Sequence, residues 1–285
     1  MTDIAEFART ACIWEVTARK VGNVHPNASF HDLDHNDFLR SADALAETLR
    51  GAKTLSVGET ILRAVRGRIE VTPSNTNLGI ILLLVPLAKT RDRTALRKLL
   101  VKLSVRDAQF AFEAIRIASA GGLGDASAQS VADEPSVSFI DAMALAAGRD
   151  AIARQYVTGF ADIFDFGVPR LLSAYERFGC VEAAIIECQL QWLAAFPDTL
   201  IARKRGGITA LETQIRAAAI ASYGGLATPA GRAAGILLDA HLRSDGNRLN
   251  PGTTADLVTA CLFVALREGK LNPTDPFPWS VPDWL

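Results

Sequence analysis

Excess charge of either sign is missing from this chain: 30 Lys and Arg stand against 31 Asp and Glu, a formal net charge of −1. A surface so evenly balanced offers no electrostatic footprint for a phosphate backbone, which excludes nucleic acid as the main partner. Cysteine is scarce, and Cys12, Cys180, Cys188 and Cys261 stand singly among apolar residues without metal-ligand spacing. They read as buried free thiols of a reducing compartment rather than a disulfide framework. No alternating apolar–polar run is bounded by hairpin turns, so a sheet-built fold is not expected. The longest apolar run, "GIILLLVPLA" at 79–88, is too short to cross a bilayer and contains Pro86; it reads as a buried helix. The opening "MTDIAEFART" lacks the basic flank and apolar centre of a signal peptide, and the expectation is a cytoplasmic protein with no membrane partner.

What is present is alanine, leucine and helical spacing. Apolar residues recur at three- and four-residue intervals, as in "DAMALAAGRDAIARQYVTGFADIF", and Ala, Leu and Arg enter helices at little cost. Helices are expected near 4–18, 36–50, 56–68, 77–89, 92–103, 105–119, 136–147, 149–162, 168–178, 180–195, 208–222, 228–243 and 253–268. The fold class is therefore all-α: one globular multi-helix domain over 1–285, with polar loops and helix N-termini converging on one pocket. The Gly/Ser/Asp-rich stretch 121–136 reads as a mobile loop of the kind that can form a lid. The tail 272–285, "NPTDPFPWSVPDWL", holds too much proline for a regular helix. Its aromatics are expected to pack onto the body or onto a second subunit of a homodimer.

Four polar stretches exceed what a bundle of helices requires. The first, 15–38, holds His25, His31 and His35, with Asp32, Asp34 and Asp37. Its Lys20-Val21-Gly22-Asn23 sets a cation beside flexible backbone, as a phosphate needs; the His and Asp density also suits a metal. Asp34 or Asn36 could equally cap the next helix. The second, "TPSNTNLG" at 72–79, places Ser74, Asn75, Thr76, Asn77 and Gly79 at the start of the most apolar helix, where free N–H groups favour anions. One cap, Asn75 or Asn77, would have sufficed. The third, "FPDTLIARKRGG" at 196–207, joins Asp198 and Thr199 to Arg203, Lys204 and Arg205. Such a run suits either a polyphosphate clamp or helix-dipole compensation capped by Gly206. The fourth, "NPGTTADL" at 250–257, has Asn250 and Thr253 as caps, Thr254 beside them, and Asp256 in the first helical turn.

Together these stretches resemble the triphosphoribosyl-dephospho-CoA synthase family, helical enzymes that make the precursor of a lyase and decarboxylase prosthetic group. Five family motifs recur in order: Glu15-Val16, Lys20-Val21-Gly22-Asn23-Val24-His25, Asn75-Thr76, Asp198-Thr199, and Asn250 through Leu257. The chain departs from the pattern at Val21, where the family has proline, and at Asn77-Leu78, where it has His-Lys. A third departure is the longer run from Asp198 to Gly207. In these respects it is similar to a divergent branch from archaea and C1-metabolising bacteria. That branch leaves two alternatives: an enzyme acting on another phosphorylated precursor in methanopterin- or methanofuran-type coenzyme biosynthesis, and a non-catalytic nucleotide-binding or assembly protein.

The resemblance implies a transferase in which the ribose 2′-hydroxyl of dephospho-CoA displaces adenine from ATP. Such a reaction needs a carboxylate near an oxocarbenium-like C1′, a base for the hydroxyl proton, and cations with Mg²⁺ for the triphosphate. The resemblance assigns Glu15, Asp198 and Asp256 to catalysis, with Asp198 and Asp256 also the candidate Mg²⁺ ligands. Nucleotide and phosphate binding falls to Lys20, Gly22, Asn23, His25, Asn75, Thr76, Asn77, Gly79, Thr199, Arg203, Lys204, Arg205, Asn250, Thr253 and Thr254.

Overall fold

A computed structural model describes residues 3–74, 76–120, 135–281 and 284. Among the described residues the regular structure is helical, with only two isolated β-bridges, His25 with Ala28 and Phe30 with Leu33. The all-α expectation holds. The chain divides into two compact units, each assembled from two stretches of sequence: Met1–Cys12 with Asn36–Asp162, and Ile13–His35 with Ile163–Leu285.

The first unit takes the opening of α1 (Ile4–Thr17), nearly all of α2 (His35–Gly51), and α3 (Val57–Val71), α4 (Leu78–Ala88), α5 (Arg93–Leu100), α6 (Val105–Ala120), α7 (Phe139–Ala144) and α8 (Ala151–Thr158). Helix α4 is apolar on every side, so it can only be stable when surrounded, and Ile80 through Leu87 are all buried. Pro86 lies inside it and cannot donate to the carbonyl four residues earlier. That carbonyl, on Leu82, instead accepts the hydroxyl of buried Tyr156 from α8. The expected helix 149–162 stops at Thr158 because Gly159 and Phe160 both adopt positive φ, 65° and 60°. A π-helical turn, Asp162–Gly167, follows.

The second unit holds the end of α1 and α9 (Val168–Phe178), α10 (Val181–Ala195), α11 (Thr199–Arg205), α12 (Gly207–Ser222), α13 (Pro229–Arg243) and α14 (Gly252–Arg267). Buried α10 is its axis, packed against α9, α12 and α14. Gly167 permits the closest approach there, since a β-carbon would sit 2.4 Å from Cys261 Sγ and 2.7 Å from the Trp192 ring. All four cysteines are free and buried. The tail packs back onto its own unit. The Pro276 and Phe277 carbonyls accept the first N–H groups of α10, from Val181 (2.8 Å) and Glu182 (2.9 Å). Trp284 donates to the Arg19 carbonyl at 2.8 Å. One helix of this unit was not among those expected: "TLIARKR" is the short helix α11, its basic residues in the last turn and Gly206 at the C-cap, as the helix-dipole alternative had it. The loop residues 121–134, Asn75 and parts of the tail lie outside the described residues.

Candidate functional site

Three of the four polar stretches meet inside the second unit, and side-chain hydrogen bonds join them. After α1 ends, the chain turns through Gly22, whose φ of +70° and tight contacts with Leu242 and Pro251 exclude a side chain. The Gly22 N–H donates to Asp239 at 2.7 Å, and Arg243 ties down Asp239 (2.9 Å) and the Asn23 carbonyl (2.6 Å). Gln189, from the middle of α10, accepts from Val21 N at 3.2 Å and donates to Val21 O at 2.8 Å and Asn23 Oδ1 at 2.7 Å. Asn23 in turn donates to Asn250 Oδ1 at 2.6 Å. The first stretch is thereby clasped to the fourth.

Lys20 is fully buried, with Nζ 3.0 Å from Glu15 Oε1 and bonded also to the Glu15 carbonyl. Burial pushes the Lys20 pKa down and that of Glu15 up, each against the pull of the other charge. The ammonium thus has a carboxylate partner within its own loop. His25 is buried, its Nδ1 without a hydrogen-bond partner. Burial, with Arg243 and Lys20 nearby, lowers its pKa to about 4, so the ring is neutral at physiological pH. His31 and Asp32 are exposed and 3.6 Å apart, and the His35 ring lies 3.4 Å from the Thr17 hydroxyl.

The third stretch is locked to the fourth by Asp198. It is 3% exposed, and its two oxygens divide their work. Oδ1 caps α11 by accepting from Leu200 N (2.9 Å) and Ile201 N (3.0 Å). Oδ2 accepts from Thr254 N (2.8 Å) and Thr254 Oγ1 (2.7 Å), at the start of α14. Burial raises its pKa against these four donors. Thr199 Oγ1 reaches Thr253 Oγ1 at 3.2 Å. The cap of α14 therefore comes from a distant residue. Neither Asn250 nor Thr253 caps α14 as expected: Pro251 holds the N-cap position without a side-chain bond, and Asn250 Nδ2 turns to Asn247 at 3.1 Å. Asp256 lies in the second turn of α14, not the first, and is half-buried.

Arg203, Lys204 and Arg205 are exposed in the last turn of α11. Lys204 donates to the Asn247 carbonyl at 2.9 Å, and Arg205 pairs with Asp245 at 3.1 Å. The run therefore anchors the segment before "NPGTTADL" while presenting positive charge beside it.

The second stretch belongs to the other unit. Asn75 lies outside the described residues. Buried Thr76 shares a short hydroxyl contact of 2.5 Å with Ser41, and Asp37 accepts from Thr72 (2.8 Å) and Ser74 (3.0 Å). Asn77 holds the N-cap position of α4 with φ 60°, yet its side chain makes no cap bond. Both polar atoms of that amide are buried without a partner, an arrangement that native interiors rarely tolerate. Gly79 follows in the first turn, beside free N–H groups of the helix end.

A magnesium ion needs open oxygen donors. Asp198 spends all its acceptor positions on the protein, so as arranged it does not fit a metal ligand. Among the described residues no group of three His, Cys, Asp or Glu is placed to hold an ion. Sequence reasoning missed Gln189, Asp239 and Arg243, which position the stretches rather than form them; Asp37, counted with the first stretch, instead serves the second. Gln189 carried a signal: an amide in the middle of a helix otherwise suited to full burial.

Comparison with known proteins points to the family that the motifs resemble. The family profile described as "CitG: ATP:dephospho-CoA triphosphoribosyl transferase" matches residues 1–275. A curated relative from Pseudomonas putida, "Probable 2-(5''-triphosphoribosyl)-3'-dephosphocoenzyme-A synthase", is 31% identical over 117 residues, 41% of this chain and 41% of that protein. The match thus spans less than half the length of that relative. The solved structure of the "putative triphosphoribosyl-dephospho-coA synthase from Archaeoglobus fulgidus" superposes with a TM-score of 0.63 at 29% identity. It covers 81% of this chain and 99% of that one.

Proposed function

The chain belongs to the ATP:dephospho-CoA triphosphoribosyl transferase family, and on that premise we propose that it transfers the triphosphoribosyl group of ATP to dephospho-CoA. The C1′–N9 bond of ATP breaks and its electron pair leaves with adenine, which takes up a proton. The acceptor's ribose 2′-hydroxyl forms the new C1′–O bond and gives its proton to a base. The triphosphate remains on the product.

The family match over nearly the whole chain carries this reading, and the geometry suggests a division of labour. Asp256 is the half-buried carboxylate at the clasped end of α14, suited to face the cationic C1′ or to accept the hydroxyl proton. Asp198 is likewise assigned to catalysis, but through position: its four bonds fix where α11 and α14 begin. Glu15 and Lys20, buried as a pair, hold the turn that presents Gly22, Asn23 and His25. Arg203, Lys204 and Arg205 supply charge for the phosphates, with Thr199, Asn250, Thr253 and Thr254 as neutral donors beside them. Taken by itself, the other unit has an unpartnered Asn77 amide, with Thr76 and Gly79 beside it, suited to a sugar or phosphate oxygen. Mg²⁺ would supply charge neutralisation as a companion of the triphosphate, held chiefly by phosphate oxygens. A cytoplasmic setting is part of the same proposal and is supported by four free buried thiols.

The test is adenine release from ATP, followed by chromatography with and without dephospho-CoA, together with the mass of the product. Release that requires dephospho-CoA and yields the triphosphoribosyl adduct is the expected outcome. Tight ATP binding with no adenine released under any acceptor condition would refute the proposal.

A further inference from the structure

We propose that the outward face of α12 and α13 is the surface through which two copies of this chain associate about an antiparallel two-fold axis. On α12, Ile208, Leu211 and Ile215 are 85%, 49% and 61% exposed, and Ala218 is exposed in line with them. Their spacing of three, four and three residues places them on one stripe of a helix. On α13, Ala230, Ala233, Leu237 and Ala240 repeat the same spacing and are exposed, Leu237 at 71%. The two helices pack on each other. Their opposite faces already fill the core, through Ala217 and Ile220 on one and Leu238 and Leu242 on the other. The outward stripes are thus additional apolar surface that the chain's own core does not use. Contiguous surface of this kind marks an interaction site.

The charges on this face identify the occupant. Only Glu212 and Arg216 are charged among the exposed residues of α12, and His241 of α13 lies within the field of both. The charged residues of α13 are engaged within their own unit: Arg232 with the Leu226 carbonyl, and Asp239 and Arg243 with each other. One acid and one base four residues apart are self-complementary. With a two-fold axis near Ile215, Glu212 of each copy lies about two residues, roughly 3 Å along the helix axis, from Arg216 of the other. An anionic membrane would call for a cationic flank, and the face has a single exposed arginine. The alanines on α13 let backbones approach closely. Helices of 16 and 15 residues are about 24 Å long. Side by side, about 10 Å apart, they present a footprint of roughly 500 Å². That approaches the ~800 Å² of accessible surface each partner buries in a standard interface.

Sedimentation equilibrium of the full chain across the micromolar range tests this. The 30.5 kDa chain is expected at twice its mass, and Leu211→Glu with Leu237→Glu is expected to give a monomer of unchanged melting temperature. Glu212→Arg alone should weaken association about tenfold, and adding Arg216→Glu should restore it. A monomer throughout, a dimer indifferent to the paired Glu substitutions, or a charge swap that fails to restore association would each overturn the proposal. So would a monomer that binds phosphatidylserine vesicles through these residues.

Discussion

Replacing Asp198 separates a residue that builds the site from one that acts in it. Asp198→Ala removes four hydrogen bonds at a position 3% exposed to solvent. On α11 the loss leaves Leu200 N and Ile201 N unpaired, and loss of a helix N-cap costs about 1 kcal/mol. At α14 it strands the Thr254 N–H and hydroxyl, and each buried unsatisfied donor costs about 1–3 kcal/mol. The sum is about 3–5 kcal/mol, allowing water to reach part of the new cavity. For a domain of this size, about 2 °C is lost per kcal/mol, which corresponds to a fall of about 6–10 °C in Tm. Asp198→Asn should cost less, about 1–3 kcal/mol: the carbonyl oxygen can still cap α11, but the amide NH₂ then faces the Thr254 N–H, donor against donor. Urea unfolding followed by circular dichroism gives the free energies, and adenine release per folded molecule gives the activity. An Asp198→Ala protein that unfolds like the wild type and yet loses all turnover would refute the clasp. It would return Asp198 to direct contact with metal or substrate.

Asp256→Asn should behave in the opposite way, with Tm changed by no more than a degree or two and adenine release down at least about 100-fold, the usual contribution of a positioned base; normal turnover would remove Asp256 from the mechanism. The Glu15–Lys20 pair should show strong coupling in a double-mutant cycle. Glu15→Gln or Lys20→Met alone leaves a buried charge or donor uncompensated, costing about 3–5 kcal/mol, whereas the double variant should cost less than either. Additive losses would mean that the two do not act as a pair. His25 predicts a pH dependence: its folded pKa, about 4, lies below the ordinary 6.5. The unfolded chain therefore binds the proton first as pH falls. The stabilising effect is fully present above about pH 6.5 and is lost progressively down to about pH 4, by at most about 3 kcal/mol. His25→Gln should flatten that part of the urea-stability profile, and an unchanged slope would count against a buried neutral imidazole.

The sequence carried the helical architecture because helical propensity and three-to-four spacing are local. The expected helices at 105–119, 168–178, 180–195, 208–222 and 228–243 agree with α6, α9, α10, α12 and α13 to within a residue or two. Where local signals conflicted, the reading failed. Helix α11 was absent from the expected helices, although its basic run and Gly206 cap match the helix-dipole alternative, and Gly159 ended α8 four residues early because a left-handed C-cap outweighed the apolar periodicity. Asn77 shows a different limit. Its position at a helix start was legible, but its unpartnered amide could not be seen, because hydrogen bonding depends on what the fold brings near it.

The same division runs through the candidate site. Order and spacing of the motifs along the chain were enough to point to the family, because those properties belong to the sequence itself. What each residue does was decided only in three dimensions. Lys20 resembled a free phosphate ligand until folding buried it against Glu15. Asp198 and Thr254, 56 residues apart, became one cap because α11 and α14 pack start to start. Charge, size and hydrogen-bonding capacity are fixed by the amino acid, but pairing and burial depend on the neighbours that distant parts of the chain provide.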